Sequence, residues 1–365
     1  MGIGSDNIRL LAQFGKEMRE SDSSSKHTMN VDAEDENLKR ILENVKSNRK
    51  LSVDDQIVYM KYKGITFNHI DEETAKKFLS QNTYYYKVTA FRKNIAKEHG
   101  KYISLDFGLL NDLATIDMYL RYISIKLNLD TEHALKALLV NTITDTLSED
   151  GYSIVKEYDD YCKVKLLSDN PYFDMNKYIP VNEKIMSRNK DVTGYHYDLF
   201  AKRKTNPPIW VLIELMSFGE LIRFIEFYYE NDKPNKKIFE EAYELLKYTK
   251  NFRDSAAHSR PLLLNVVKTR QISPTQEVTE FATKAGIDKI DRKNRLSNKK
   301  IHDFICILMV HDKYIISNEM KSDRKNELNK LKDRCVKRSN YYENHEDLKK
   351  VYGIFSKIVD KYHQE

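Results

Sequence analysis

Two side chains that can act on a phosphodiester lie close together in the sequence, because Arg253 and His258 are separated by four residues. An imidazole gives and takes protons near neutral pH, and a guanidinium contacts phosphate oxygens and stabilises the negative charge that grows on them. RNA brings its own nucleophile, the ribose 2′-hydroxyl. The pair therefore has the chemistry for RNA cleavage without a metal, although the spacing alone also fits an arginine that caps a helix end beside a surface histidine.

A carboxylate and a further cation stand in the same segment. Asp254 directly follows Arg253, and Arg260 lies two residues beyond His258. Two interpretations of Asp254 stay open: it accepts a hydrogen bond that orients Arg253 or His258, or it is an N-terminal helix charge that suits the helix dipole. Arg260 is a candidate for phosphate binding.

Residues 253–260, with the sequence RDSAAHSR, resemble the R-N-x-x-A-H-x-x-R segment of the AbiD/AbiF abortive-infection family. That family belongs to the HEPN superfamily, whose ribonucleases share an R-x4-6-H motif. Further blocks of the family resemble residues 51–86, 113–121 and 208–219, in the same order. The resemblance covers about residues 50–265. Here aspartate replaces the family's asparagine after the arginine, and alanine replaces a cysteine that many relatives carry before the Ala-His.

The resemblance implies an all-α, HEPN-type helical bundle in which the motifs of two chains meet across a homodimer interface. It implies catalytic roles for Arg253 and His258, with Asp254 beside them, and products with a 2′,3′-cyclic phosphate and a 5′-hydroxyl. The implied function is a toxin-type, metal-independent endoribonuclease of an antiphage abortive-infection or RNA-antitoxin system, restrained by a structured small RNA. Two other functions stay open: a catalytically silent RNA-binding protein, and a toxin neutralised by a partner protein.

The composition favours the same fold class. The chain has 365 residues with 11 glycines and 7 prolines, too few turn formers for an all-β sandwich or barrel. We expect a flexible tail (1–31), an N-terminal helical module with basic and aromatic residues (32–105), the bundle (106–267) with an insertion at about 150–206, and a charged linker with C-terminal helices (268–365).

Hydrophobic spacing places the helices around the motif. It predicts a helix from Leu109 that gives way to a second helix starting at Asp130. It predicts one helix that begins after Pro208 and carries apolar residues as far as Ile225. Another helix, over residues 236–250, precedes the motif.

Three charged residues are candidates to support the motif. Asp117 and Arg121 form an i, i+4 pair, which is either a weak helix salt bridge or a support for the motif helix. Glu214 lies in an otherwise apolar helix, so it is either at the solvent edge or paired inside. Since a buried unpaired carboxylate is costly, Arg121 or Arg253 would be its partner in the second case.

The net charge of +6 and an isoelectric point near 8.8 allow a polyanionic partner. RNA-binding surfaces combine aromatic rings that stack on bases with cations that contact phosphates. The candidates of this kind are Tyr85, Lys87, Arg92, Lys93, Lys202, Arg203, Lys204, Arg260, Arg292, Lys293 and Arg295. The alternatives are that the tyrosine packs inward and that the charged clusters are simply solvated.

The sequence gives no sign of a metal, a cofactor or a membrane. The three cysteines, Cys162, Cys306 and Cys335, form no C-x-x-C pair, and the histidines lack ligand-like spacing. No stretch approaches the roughly 20 apolar residues that span a bilayer. We therefore expect a cytoplasmic protein that needs no metal or cofactor and has RNA, rather than DNA or a membrane, as its partner.

Overall fold

The chain is helical through most of the part that the structure, a computed structural model, describes, which is residues 36–364. The α-helices there are α1 (Glu36–Lys46), α2 (Val53–Tyr62), α3 (Glu72–Gln81), α4 (Tyr85–Thr89), α5 (Phe107–Thr144), α6 (Ser153–Asp169), α7 (Val181–Ser187), α8 (Tyr197–Arg203), α9 (Ile209–Leu215), α10 (Phe218–Glu230), α11 (Glu240–Ala257), α12 (Gln276–Lys284), α13 (Lys289–Arg295), α14 (Lys299–Tyr314), α15 (Asn318–Val336) and α16 (Glu346–Lys361). The all-α prediction is confirmed. The predicted tail at residues 1–31 lies outside the described residues.

Four two-residue strands and four short 3₁₀-helices complete the regular structure of residues 36–364; the 3₁₀-helices are Ala90–Asn94, Met175–Lys177, Lys236–Phe239 and Ser339–Tyr342. Strand β1 (Ile65–Thr66) pairs in parallel with β4 (Leu105–Asp106), and β2 (Lys97–Glu98) pairs antiparallel with β3 (Lys101–Tyr102). Such short pairs fix loop positions and add little core, so the helices define the fold.

The described chain forms two compact units. Unit 1 contains the described residues up to Leu120 together with Pro261–Gln271 and Lys330–Ser356. Unit 2 contains Arg121–Arg260, Ile272–Asn329 and the described residues from Lys357 onward. Each unit is therefore built from segments that are distant in the sequence.

In unit 1, local capping signals begin the first helices. Ser52 and Asp55 form a capping box at the start of α2, because each side chain accepts a hydrogen bond from the other residue's backbone N–H. The Asp71 side chain caps α3 by accepting from Thr74 N at 2.8 Å. Ile41 of α1 and Tyr59 of α2 then pack into one apolar cluster.

In unit 2, the helix that carries the motif, α11, lies against α10 and α14. Its apolar face buries Leu245, Phe252 and Ala256, and the ring of Phe252 lies 5.9 Å from that of Phe304 in α14, between centroids. The buried face extends to the last turn of α11, so packing holds the helix in place as far as the motif.

The sequence predicted a second helix from Asp130, but this prediction is wrong. Helix α5 continues without a break from Phe107 to Thr144. The first two residues of the expected second helix have other partners. The Asp130 carboxylate accepts from Arg324 Nε at 2.6 Å, and Thr131 Oγ1 donates to the carbonyl of Leu127, one turn back, at 2.8 Å. Because these bonds replace capping, the residues stay within the helix.

The single helix expected over residues 209–225 is instead two, α9 and α10, separated at Met216–Ser217. The cause is the cap at Ser217, whose backbone N–H and hydroxyl both donate to Glu220 Oε2 at 2.9 Å. Arg188 holds the Glu220 carboxylate from outside through both terminal nitrogens. The break ends α9 at Leu215 and lets α10 begin at Phe218, whose side chain is buried.

Helices also form in polar stretches where hydrophobic spacing predicted none. Residues 268–300 contain α12 and α13, capped by the side chains of Thr275 and Asp288. Between Tyr314 and Glu346 lies α15. Among the described residues, no helix is long and apolar enough to cross a bilayer.

A buried histidine in unit 2 makes the stability of the fold depend on pH. His311 is fully buried, its Nε2 lies 3.3 Å from Asp130 Oδ2, and its Nδ1 lies 2.7 Å from the Tyr362 hydroxyl. Burial lowers the pKa of His311 to about 4, and the Asp130 carboxylate only partly opposes the shift.

We expect the free energy of unfolding to fall as pH drops from about 6.5 towards 4, by roughly 1 kcal/mol per pH unit from this residue. In that window the unfolded chain binds a proton that buried His311 does not, so acid favours unfolding. Urea unfolding followed by circular dichroism measures the slope. The slope should flatten in His311→Asn but stay in the exposed-residue control His133→Asn. Equal slopes in all three proteins would contradict the assignment.

Candidate active site

The motif occupies the last turn of α11 rather than a separate segment after it. Arg253 lies within the helix, which ends at Ala257, and His258 is the residue that caps its C-terminus. Phe252 and Ala256 are buried, whereas His258 is exposed. The helix is thereby anchored on one face and presents the histidine at its end.

The turn after His258 is a Schellman motif. Ser259 adopts a left-handed conformation with φ 54°, its N–H donates to Ala256 O at 3.1 Å, and Arg260 N–H donates to Ser255 O at 2.8 Å. These two bonds fix the backbone on both sides of His258. Its side chain makes no hydrogen bond or ion pair within residues 36–364, so the imidazole is held by its backbone alone and stays available.

Two carboxylates and one aromatic ring of unit 2 lie near the Arg253 guanidinium, and none of them binds it tightly. Its Nη1 lies 3.4 Å from Asp254 Oδ1 and its Nη2 lies 3.8 Å from Glu132 Oε2. Its guanidinium carbon lies 5.8 Å from the centre of the Phe218 ring, within cation–π range. Charge-assisted hydrogen bonds measure about 2.7–2.9 Å, so both ion pairs are loose.

Glu132, in α5, is a member of this site that the sequence did not single out. Its Oε1 lies 3.2 Å from Lys136 Nζ, which also donates to the carbonyls of Glu214 and Met216 at 3.1 Å each. Lys136 thus satisfies carbonyls at the end of α9 and fixes Glu132. In the sequence, Glu132 and Lys136 look like an ordinary helical ion pair one turn apart. Nothing near them indicates that Glu132 lies beside Arg253.

Asp254 lies in the last turn of α11, so the interpretation as an N-terminal helix charge is wrong. Its Oδ2 accepts from Lys250 Nζ at 2.9 Å, one turn earlier, while its Oδ1 faces Arg253. Lys250 lies against the start of α10, where a Cβ on Gly219 would come within 2.8 Å of Lys250 Cε. The glycine therefore leaves room for the lysine beside the motif.

The three predicted supporting residues, Glu214, Asp117 and Arg121, differ in their exposure and contacts. Glu214 is exposed, so of the two alternatives the solvent edge is correct, and only its backbone carbonyl contributes to the site, through Lys136. Asp117 and Arg121 are both buried. Asp117 Oδ1 accepts from the backbone N–H groups of Leu262 and Leu263 at 2.6 and 2.8 Å, which anchors the chain after the motif within unit 1.

The predicted RNA-binding residues divide by exposure. Lys202, Arg203, Lys204, Arg260 and Lys293 are exposed, and Lys87 and Lys93 are half-buried. Burial, together with the neighbouring ammonium group of Lys268, lowers the pKa of Lys93.

Four candidates are turned inward. Arg295 is only 7 % exposed, and Arg292 donates to the carbonyl of Ile287. Arg92 Nη1 donates to Thr89 O at 2.7 Å. Tyr85 packs against the apolar cluster of α1 and α2, and burial raises its pKa to about 12. For these residues direct contact with RNA is not supported in this conformation, because their polar or aromatic groups already have internal neighbours.

The described residues offer no metal-binding group. Within residues 36–364, no three histidine, cysteine, aspartate or glutamate side chains are arranged to hold a metal ion.

The turn that fixes His258 gives a stability prediction. Ser259 has φ 54°, where a residue with a Cβ is strained and glycine is not. We expect Ser259→Gly to raise the free energy of unfolding by about 0.5–1 kcal/mol. Chemical denaturation measures the change. The control Ser255→Gly should lower stability by about 0.5 kcal/mol, because Ser255 is helical and glycine is the poorer helix former. No gain in Ser259→Gly would contradict the assigned turn.

Comparison with known proteins supports the resemblance seen in the sequence. The family model described as Abi-like protein matches residues 77–263, about half of the chain, and this range contains Glu132, Arg253 and His258. No curated protein and no solved structure matches the chain. The match, together with the helical fold, shows that the chain belongs to the family of Abi-like proteins.

Proposed function

We propose that the protein is a metal-independent endoribonuclease in which Arg253 and His258 carry the reaction. The observation that supports this best is the end of α11, where an exposed histidine without side-chain partners follows an arginine that is only loosely paired. A histidine and an arginine kept only for stability would be expected to bind their neighbours more tightly. These two are positioned by the helix and remain available to a ligand.

The chemistry follows from the two groups. An imidazole takes the proton of the ribose 2′-hydroxyl, whose oxygen attacks phosphorus, and the bond from phosphorus to the 5′ oxygen breaks. The departing 5′ oxygen takes a proton, which leaves a 2′,3′-cyclic phosphate and a 5′-hydroxyl. The Arg253 guanidinium stabilises the charge on the phosphate oxygens. A homodimer that joins two such helix ends supplies one imidazole as base and a second as acid.

Membership of the Abi-like family supports a role in abortive infection, the defence in which an infected bacterial cell stops growing. In that role a nuclease must be restrained until phage arrives. A structured small RNA fits as the restraint because Lys202, Arg203 and Lys204 are exposed together. Arg260 adds an exposed cation two residues beyond His258.

The first test is cleavage of cellular RNA in EDTA by nucleic-acid-free protein. We expect the wild type to cut and His258→Ala to lose activity by about 100-fold or more, because general acid–base catalysis contributes that much. Product ends should be 2′,3′-cyclic phosphate and 5′-hydroxyl. Exposed His133 provides the matched control, since His133→Ala should cut like the wild type.

Each other outcome has a definite meaning. Equal cutting by wild type and His258→Ala would place the activity elsewhere or in a contaminant. Products with 3′-hydroxyl ends, or complete inhibition by EDTA, would exclude the proposed reaction. No cutting by either protein, with RNA still bound, would favour the silent RNA-binding protein.

RNA affinity should depend on salt through the exposed cations. Replacing Lys202, Arg203 and Lys204 by glutamine should reduce the slope of log affinity against log salt by up to about 2, since single strands give roughly 0.7 per phosphate contact. The matched control replaces Lys46, Arg49 and Lys50, which are equally exposed in unit 1. Fluorescence anisotropy with single-stranded RNA measures both. An unchanged slope in the first variant would exclude this surface.

A further inference from the structure

One carboxylate oxygen beside the motif is buried without a hydrogen-bond partner. Glu132 Oε2 is shielded from solvent and accepts no hydrogen bond within residues 36–364, although the side chain as a whole is 15 % exposed. Leaving a buried acceptor unsatisfied costs about 1–3 kcal/mol. Arg253 Nη2 lies 3.8 Å from this oxygen, too far for a hydrogen bond but close enough for attraction between the charges.

The other oxygen of Glu132 faces a lysine that is held in place. Glu132 Oε1 pairs with Lys136 Nζ at 3.2 Å, and that ammonium group is itself fixed by two backbone carbonyls at the end of α9. Glu132 therefore cannot turn towards Arg253 to shorten the contact without giving up Lys136. The carboxylate is fixed at a distance where it attracts the guanidinium but does not bind it.

Asp254 acts on the opposite nitrogen in the same way. Its Oδ2 is taken by Lys250 at 2.9 Å, and its Oδ1 remains 3.4 Å from Arg253 Nη1. The charges thus alternate along the series Lys136, Glu132, Arg253, Asp254 and Lys250. Each acid lies closer to a lysine than to the arginine, so the arginine is the member of the series that an incoming anion can take most easily.

We propose that Glu132 is a positioning residue for Arg253, which it holds in the direction of the site until an RNA phosphate replaces it. This inference rests on the proposed function, since it names the residue that prepares the arginine of that site. A phosphate offers two oxygens at short distance and so competes well against two loose carboxylates. Glu132 consequently weakens RNA binding and speeds cleavage.

The test separates these two effects in single-turnover cleavage and in binding. Glu132→Gln should bind RNA about threefold to tenfold more tightly, as expected for loss of a partly exposed ion pair. It should cleave about 10- to 100-fold more slowly, because a misplaced catalytic group costs that much. Glu132→Asp should restore part of the rate. The control Asp145→Asn removes an exposed acid just after the end of α5 and should change neither quantity.

Binding is measured with an RNA that carries 2′-O-methyl groups and so lacks the attacking hydroxyl. Combining Glu132→Gln with Arg253→Ala distinguishes competition for the arginine from simple repulsion between Glu132 and phosphate. If Glu132 competes for Arg253, the gain in affinity disappears in the Arg253→Ala background. If it only repels phosphate, the gain is the same in both backgrounds, and the proposal is overturned.

The remaining outcomes are also decisive. Weaker binding and slower cleavage together, with a lower melting temperature in both Glu132 variants, would mean a structural role and overturn the proposal. Unchanged binding and cleavage would do the same. If the wild type does not cleave, the nuclease function fails, but the binding cycle still decides whether Glu132 controls Arg253.

Discussion

The arrangement of the site depends on the loose ion pairs that hold Arg253 between Glu132 and Asp254. Partly exposed pairs contribute at most about 1 kcal/mol to folding, and these two are longer than strong pairs, so stability does not explain them. What they determine is direction. The guanidinium lies over Phe218 with a carboxylate at each end, so neighbouring groups of the protein define its position.

Several helices must be placed correctly for this to happen. Helix α5 supplies Glu132 and Lys136, the end of α9 supplies the carbonyls that fix Lys136, and the first turn of α10 supplies Phe218. Helix α11, which is anchored by its buried apolar face, then brings Arg253 and His258 to the site. The break at Ser217 is essential to this, because an unbroken helix would keep the Met216 carbonyl in its own hydrogen-bond ladder, away from Lys136.

The sequence was sufficient for features that are local and insufficient for those that depend on distant partners. Apolar spacing predicted a helix from Leu109, where α5 runs, and Pro208 predicted the start of α9. Asp130 has the same appearance as a cap, yet Arg324, far away in sequence, takes its carboxylate. Arg253 and His258 were identified from residue type and spacing, whereas Glu132 was not, because its role comes from a contact with α11 across 121 positions of sequence.

The exposure of the predicted RNA-binding side chains also limits which of them can contact RNA. Arg92 and Tyr85 of unit 1, together with Arg295 of unit 2, use their guanidinium or ring inside the fold, and an internal partner must be lost before RNA can replace it. Among the cations predicted from the sequence, those that remain fully exposed are Lys202, Arg203, Lys204, Arg260 and Lys293, and all of them belong to unit 2. Unit 2 also carries Arg253 and His258. Under the proposed function, the unit that performs the chemistry therefore supplies most of the phosphate attraction as well, and a restraining RNA bound there would compete with substrate for the same unit.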